Sequence, residues 1–406
     1  MPFSFTARFM RLILALERRL TIMFVRLVPV TAAVKLGYAL WRIRHRRLAL
    51  QLLQKAILAQ RKEAVSPVVF PTTPVPRQDV LVSVIIPTYN RATSLARCLE
   101  SLSRQTLDKK KFEIVVVNNG CTDRTSEVCS VYANRFPNFL MTTEQTPGLL
   151  AGRHTGWRAA SADLLTFCDD DIEALPPWLE SIVTIGHADP TVSLLGGNNL
   201  PAFESPPPGW MDGLWTSLNG VRWNEYYSLI EGITRPMEPP IPTLVFGCNF
   251  TIRRQALVST GGFEPDCMGS MLFQGGGESA IIEDIIANGG RVFVHPDVSV
   301  IHHMPNARLC FDYMYRRGIY TGIYSTYCSL RKDDRQLHSP SPYDGTNPAL
   351  ERFHEGVQLA VNTYCEAAFK SPALREWISR VTYIDNEAPP IQALQDCEIL
   401  AARLGW

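Results

Sequence analysis

Three consecutive carboxylates, Asp169, Asp170 and Asp171, follow directly on an apolar run, Leu-Leu-Thr-Phe-Cys. Side by side at the end of a buried strand they repel one another, and burial adds to the cost unless a cation offsets it. A hard divalent ion with oxygen ligands supplies that offset and also binds diphosphate oxygens. A solvated acidic turn capping the next helix is the competing reading, since Pro176 and Pro177 follow closely. On these residues alone the two stand even. A further carboxylate, Glu278, follows Gly275-Gly276-Gly277 and precedes the helically spaced Ile281, Ile282, Ile285 and Ile286. At a helix start it would be stabilised by the macrodipole. His302 and His303 close an apolar strand, where such a pair is either structural or supplies a metal ligand. Trp210, Trp215 and Trp223 lie in a Pro- and Gly-rich stretch and could face sugar rings or fill a core.

The elements that must position these groups are legible as apolar runs. Val80 to Pro87 is a continuous β-branched run, as in a strand buried on both faces of a parallel sheet. It ends in Thr88-Tyr89-Asn90-Arg91, after which Leu95, Cys98, Leu99 and Leu102 mark one face of a helix. A second strand, Phe112 to Val117, runs into Asn118-Asn119-Gly120-Cys121-Thr122-Asp123. Thr122 or Asp123 would cap the next helix, which carries Val128 and Val131. A third strand, Asp163 to Cys168, delivers the three aspartates. Strand, loop, helix repeated in this way is the start of a doubly wound α/β sheet, whose ligands bind outside the carboxyl ends of the strands.

Four motifs occur in order: Pro-Thr-Tyr-Asn-Arg, Asn-Asn-Gly-Cys-Thr-Asp, the stretch from Gly148 to Gly156, and the triple aspartate. Together they resemble the nucleotide-binding half of family-2 glycosyltransferases with the GT-A fold, from about Val80 to about His303. The resemblance implies a mixed sheet with flanking helices and a nucleotide-sugar donor. Pro87, Thr88 and Tyr89 would line the base and ribose pocket, with Arg91 beside them. Asn118 stands where the family often has an aspartate that accepts a nucleobase N–H; an amide oxygen can still accept. Arg153 would brace the donor, and Asp169 and Asp170 would contact it. Asp169 and Asp171 form the DxD pair, with Asp171 the direct ligand to manganese or magnesium and His303 a further one. Glu278 falls at the position of the catalytic base, with Glu283 and Asp284 as rivals if the register slips by a turn. The implied reaction is a direct displacement with inversion onto a saccharide or lipid-linked acceptor. A nucleotidyltransferase and a non-catalytic membrane scaffold of the same fold are the alternatives. Pro-Thr-Tyr-Asn-Arg does not resemble the Gly-rich phosphate loop of the former, and the intact aspartates argue against the latter. The Gln-x-x-Arg-Trp motif and multiple spans of processive synthases are lacking, which favours single addition in cell-surface polysaccharide synthesis.

Composition fits around this. The 406 residues are 46% hydrophobic, enough for a large core, and the net charge of +1 points to no nucleic-acid partner. From Met1 to Lys62, however, thirteen basic residues stand against Glu17 alone. No apolar stretch there reaches the roughly 20 residues needed to span a bilayer, and no cleaved signal is expected. Residues 1–64 read as a basic amphipathic helical segment suited to an anionic membrane surface, at the cytoplasmic face; a hairpin packed on the protein is the alternative. Residues 65–79 read as a Pro-rich linker, 80–305 as the catalytic domain, and 306–406 as a helical extension without assignable motif. The ten cysteines form no CxxC pair and read as reduced, buried thiols.

Overall fold

A computed structural model of the chain describes residues 79–146, 148–241, 244–263, 277–331 and 346–370. The expected basic segment, nearly all of the linker and the last helix, at 391–404, lie outside the described residues.

The first strand, β1 (Val82–Thr88), is buried along its whole length. Its side chains alternate between two cores: Val82, Val84 and Ile86 belong to one, Ile85 to the other. That is why the sequence there is continuously apolar instead of alternating. Each fully buried branched side chain contributes roughly 1.5–3 kcal/mol. β1 pairs in parallel with β2 (Phe112–Asn118) on one side and β4 (Leu164–Cys168) on the other. Helix α1 (Ala92–Ser103) covers one face through Leu95, Cys98, Leu99 and Leu102, as its spacing predicts. α2 (Thr125–Ala133) follows β2, then the edge strand β3 (Phe139–Thr143).

Three local expectations need correction. β4 is the fourth strand, not the third, because β3 presents half-buried and exposed residues and carries no apolar signal. α2 buries Cys129 and Tyr132, while Val131 is exposed. Asp123 does bond the first residue of α2, through Thr125, but its other oxygen accepts the amide N–H of Ala92 at 2.9 Å and so opens α1. One carboxylate thus joins two loops.

The sheet continues with β6 (Val192–Gly196), β11 (Asn249–Arg253) and β12 (Arg291–Val294), giving the order β12-β6-β11-β4-β1-β2-β3. β11 runs antiparallel to both neighbours, so the sheet is mixed. Helix α3 (Leu149–Ala159) lies on β1, with Gly152 and Gly156 facing it. A Cβ at Gly156 would sit 2.3 Å from Ile85 Cγ2, and one at Gly152 3.0 Å from Pro87 Cβ. Glycine is what lets the helix approach that closely. α4 (Trp178–Ala188), α5 (Arg254–Ser259) and α6 (Gly277–Ala287) complete the layers.

A second sheet, not foreseen, has the order β5-β13-β7-β10-β9-β8. Its strands are β5 (Ile172–Ala174), β7 (Asn199–Phe203), β8 (Thr216–Leu218), β9 (Val221–Asn224), β10 (Leu229–Glu231) and β13 (Val300–Met304). Two long helices, α7 (Phe311–Arg331) and α8 (Pro348–Lys370), pack as a pair through Gly318 and Gly356. They share a core with Met211, Leu214, Tyr227 and Met304 of the second sheet's surroundings. The expected α/β class, a doubly wound mixed sheet with flanking helices and a helical extension, is what forms. No helix among the described residues is long and apolar enough to cross a membrane.

Candidate active site

Because β1 and β4 are parallel neighbours, Thr88-Tyr89-Asn90-Arg91 and Asp169-Asp170-Asp171 leave the sheet together at its carboxyl edge. Thr88 Oγ1 donates to Asp170 Oδ2 at 2.6 Å, and Arg91 Nη1 donates to Asp170 Oδ1 at 2.5 Å. Burial pushes the Asp170 carboxyl up to about 6 in spite of Arg91, and neighbouring Asp171 adds to the rise. Asp170 therefore ties the two loops together from inside.

Asp171 faces the other way. Its Oδ2 accepts from Arg308 Nη2 at 2.8 Å and lies 3.1 Å from Arg91 Nη2. Its Oδ1 lies 3.4 Å from His302 Nε2, outside hydrogen-bond geometry. Burial alone would push this carboxyl up, but His302, Arg308 and Arg91 hold it well below the usual carboxylate range.

Asp169 meets Arg153 Nη2 at 3.5 Å, and Arg153 Nη1 donates to Glu278 Oε1 at 2.5 Å. Arg153 is 1% exposed, with its guanidinium 5.4 Å from the Phe263 ring. Glu278 stands in the first turn of α6. Burial would raise its carboxyl, but Arg153 outweighs that and holds it below the ordinary range, so it is ionised at neutral pH. Room for this pair depends on Gly247, where a Cβ would fall 1.8 Å from Glu278 Oε1 and 2.3 Å from Arg153 Nη2.

Asp169, Asp170, Asp171, Arg91, Arg153 and Glu278 thus come together, and several expectations change in detail. Pro87 and Thr88 are buried, the first against Gly152 and the second on Asp170, so of that trio Tyr89 alone, 62% exposed, is open to a ligand. The Asn118 oxygen accepts the Cys121 amide at 2.7 Å and shapes its own loop. Asn90, at φ 53°, accepts from the Thr122 amide at 2.7 Å and locks that loop to the first. Glu283 and Asp284 are exposed on the outer side of α6, which leaves Glu278 as the carboxylate facing the cluster. His303 is a correction. Its Nε2 lies 2.7 Å from Glu173 Oε1, half-buried, because successive residues of β13 point to opposite faces. His302 is the one that meets Asp171. Arg308 was not anticipated at all; it sits in a short 3-10 turn (Asn306–Arg308) after β13, and no local pattern marks it.

The donor set fits a divalent cation. Asp171 Oδ1 and both ring nitrogens of His302 are buried without a hydrogen-bond partner among the described residues, a costly state unless something else binds there. No group of three or more His, Cys, Asp or Glu side chains suited to a metal occurs among the described residues. One or two carboxylates suffice for a magnesium-like ion when substrate phosphates and water complete its shell, and an imidazole beside the carboxylate suits a softer ion such as manganese better.

Residues 83–259 match the model of Glycosyl transferase family 2. The chain is 37% identical over 149 residues to glycosyltransferase AglE of Haloferax volcanii, covering 36% of this chain and 48% of that one. It thus spans about half the length of this relative. It is 24% identical over 249 residues to the glucosyl-dolichyl phosphate glucuronosyltransferase of the same organism, covering 59% of this chain and 75% of the relative. The mannosyltransferase PcManGT from Pyrobaculum calidifontis, solved with GDP-Man and Mn2+, superposes with a TM-score of 0.45 at 20% identity, over 92% of this chain and 94% of that one.

Proposed function

We propose that the chain, whose residues 83–259 match the model of Glycosyl transferase family 2, moves a sugar from a nucleotide-diphosphate sugar to an acceptor hydroxyl, with inversion and with a divalent cation. The observation that carries the reading is the Asp171–His302 pair, two buried groups 3.4 Å apart whose facing atoms lack hydrogen-bond partners. Manganese tolerates an imidazole beside the carboxylate better than magnesium does, and both take phosphate oxygens. When bound, the ion would offset charge on the leaving diphosphate.

The chain's own residues supply the rest. Asp171 and His302 hold the ion. Arg153, fixed by Glu278 and Asp169, presents positive charge beside the donor. Glu278 accepts the proton of the acceptor hydroxyl; Arg153 keeps it deprotonated at neutral pH at some cost in basicity. Tyr89 offers an exposed ring to the base. A lipid-linked saccharide is the favoured acceptor. Its support is the likeness to a relative named for glucosyl-dolichyl phosphate and the basic segment 1–64, which we place on the anionic inner face of the cell membrane. Cell-envelope polysaccharide synthesis is the corresponding role.

Calorimetric titration with UDP, GDP and dTDP, each with and without Mn2+, tests the donor site. Manganese-dependent binding of one of them, lost in Asp171→Ala, is expected. Absence of binding of all three to well-folded protein overturns the enzymatic reading in favour of a scaffold.

A further inference from the structure

Asp171 Oδ2 is shared by two guanidinium groups, Arg308 at 2.8 Å and Arg91 at 3.1 Å. These two are not equivalent. Arg91 is anchored twice, since its other nitrogen holds Asp170 at 2.5 Å. The Arg308 side chain meets Asp171 alone among its charged contacts with described residues. It stands on a short turn between β13 and α7, and the turn's backbone is fixed independently of the side chain: the Arg308 carbonyl accepts from Tyr227 Oη at 3.0 Å. Its side chain is 22% exposed and so borders open solvent, whereas Asp171 is 5% exposed. A guanidinium with Asp171 as its one ion-pair partner among the described residues therefore sits on the carboxylate that a cation needs.

We infer that Arg308 is a positioning residue that stands in for the metal at Asp171, competes with it, and yields when an anionic diphosphate enters to take the guanidinium instead. This rests on the reading of Asp171 as a metal ligand. Its physical basis is charge: Oδ1 is left to the ion, but with both guanidiniums on Oδ2 the carboxylate is already offset, and a cation at Oδ1 stands close to two others. A divalent ion arriving alone at Oδ1 meets that repulsion, and moving Arg308 away leaves the guanidinium with no new partner. An ion arriving with a diphosphate brings that partner, since planar guanidinium groups bind phosphate oxygens in the same forked manner as carboxylates. Metal and nucleotide then bind interdependently, and each raises the affinity for the other by the same factor.

The test is Mn2+ binding without nucleotide, followed by electron paramagnetic resonance of the free ion, in the full chain and in Arg308→Ala and Arg308→Lys. Arg308→Ala is expected to bind Mn2+ alone about tenfold more tightly than the parent, and Arg308→Lys, which keeps a competing charge, within about threefold of it. Unchanged or weaker Mn2+ binding in Arg308→Ala overturns the inference. Should the alanine variant not fold, Arg308→Gln gives the same readout with a neutral side chain of similar reach. Titration of the same samples with UDP, GDP and dTDP in saturating Mn2+ separates the two claims. Nucleotide binding by the parent with no gain in the variants' Mn2+ affinity sinks only the competition. Failure of the parent to bind Mn2+ or any nucleotide sinks both.

Discussion

Two buried polar clusters lie a few residues apart along β4, β11 and β13, and they are built in opposite ways. Behind the sheet, Asn249 opposes Cys168, the residue before the aspartates. Its oxygen accepts Trp178 Nε1 at 3.0 Å, and its amide donates to Val298 O at 2.9 Å and to Asn199 Oδ1 at 3.2 Å. Asn198 closes the ring on the Ile233 backbone, accepting at 2.9 Å and donating at 3.0 Å. These asparagines are satisfied, neutral, and join the two sheets. At the front edge, Asp171, His302 and Arg153 are also buried but ionisable, and each leaves an atom without a hydrogen-bond partner. A satisfied network fixes one structure, while an unsatisfied one retains free energy for something still to bind. The first cluster belongs to stability and the second to function.

The sharpest way to break that division is Asp171→Ala. Turnover is expected to fall by at least about a hundredfold, the scale for removing a preorganised charge at a reacting centre. Stability by denaturant titration should fall by less than the roughly 3 kcal/mol expected for an unmade buried network, because Arg91 keeps Asp170, Arg308 borders solvent and the repulsion among the three aspartates is relieved. A large loss of stability with intact turnover would erase the distinction.

Asn249→Ala probes the other side. It strands Trp178 Nε1 and the Val298 carbonyl in the interior, where each unmade hydrogen bond costs about 1–3 kcal/mol. Roughly 3 kcal/mol of lost stability is expected, with metal-dependent nucleotide binding retained in the protein that remains folded. Loss of nucleotide binding at full stability would instead assign Asn249 to the site.

Much of the central sheet was legible because burial on both faces writes itself as an uninterrupted run: β1, β2 and β4 are such runs. The second sheet was not. β5, β8 and β10 are three residues each, and β13 finds β7 across a hundred residues of chain. Within the site, Asp169, Asp170, Asp171, Arg153 and Glu278 stood out through motif and helix register. Arg308 could not, since an arginine in a polar turn looks the same whether it faces solvent or a carboxylate.

Asp170 tests the border between the clusters. It lies in the functional triplet yet is bonded like the structural one, through Thr88 and Arg91. With its carboxyl raised to about 6 from an ordinary 3.8, the folded state holds the proton more tightly than the unfolded chain does. The resulting stabilisation is full below about pH 4 and is lost as pH rises through 6, on the order of 3 kcal/mol in all. Asp170→Asn carries no such proton, so its stability should lack this fall between pH 4 and 6, and at pH 7 it should be the more stable protein. A stability profile matching the parent's across that range would show that Asp170 ionises as an ordinary carboxylate.

The smallest effect expected is the one that best fixes which side of β13 belongs to which cluster. His303 contributes its backbone N–H to the Asp171 carbonyl at 3.0 Å, a bond that any residue would make. Its side chain is spent on Glu173, where both groups are about a quarter exposed. Such a pair is worth about 0–1 kcal/mol. His303→Ala should therefore leave manganese-dependent nucleotide affinity within about twofold, whereas His302→Ala should weaken it by about 10- to 100-fold, the scale for disturbing a metal's immediate surroundings. Calorimetry on the two variants under one condition decides between the faces. If His303→Ala is the one that loses the metal, the strand presents its other face to the site, and the assignment of Asp171 Oδ1 and His302 as partners falls with it.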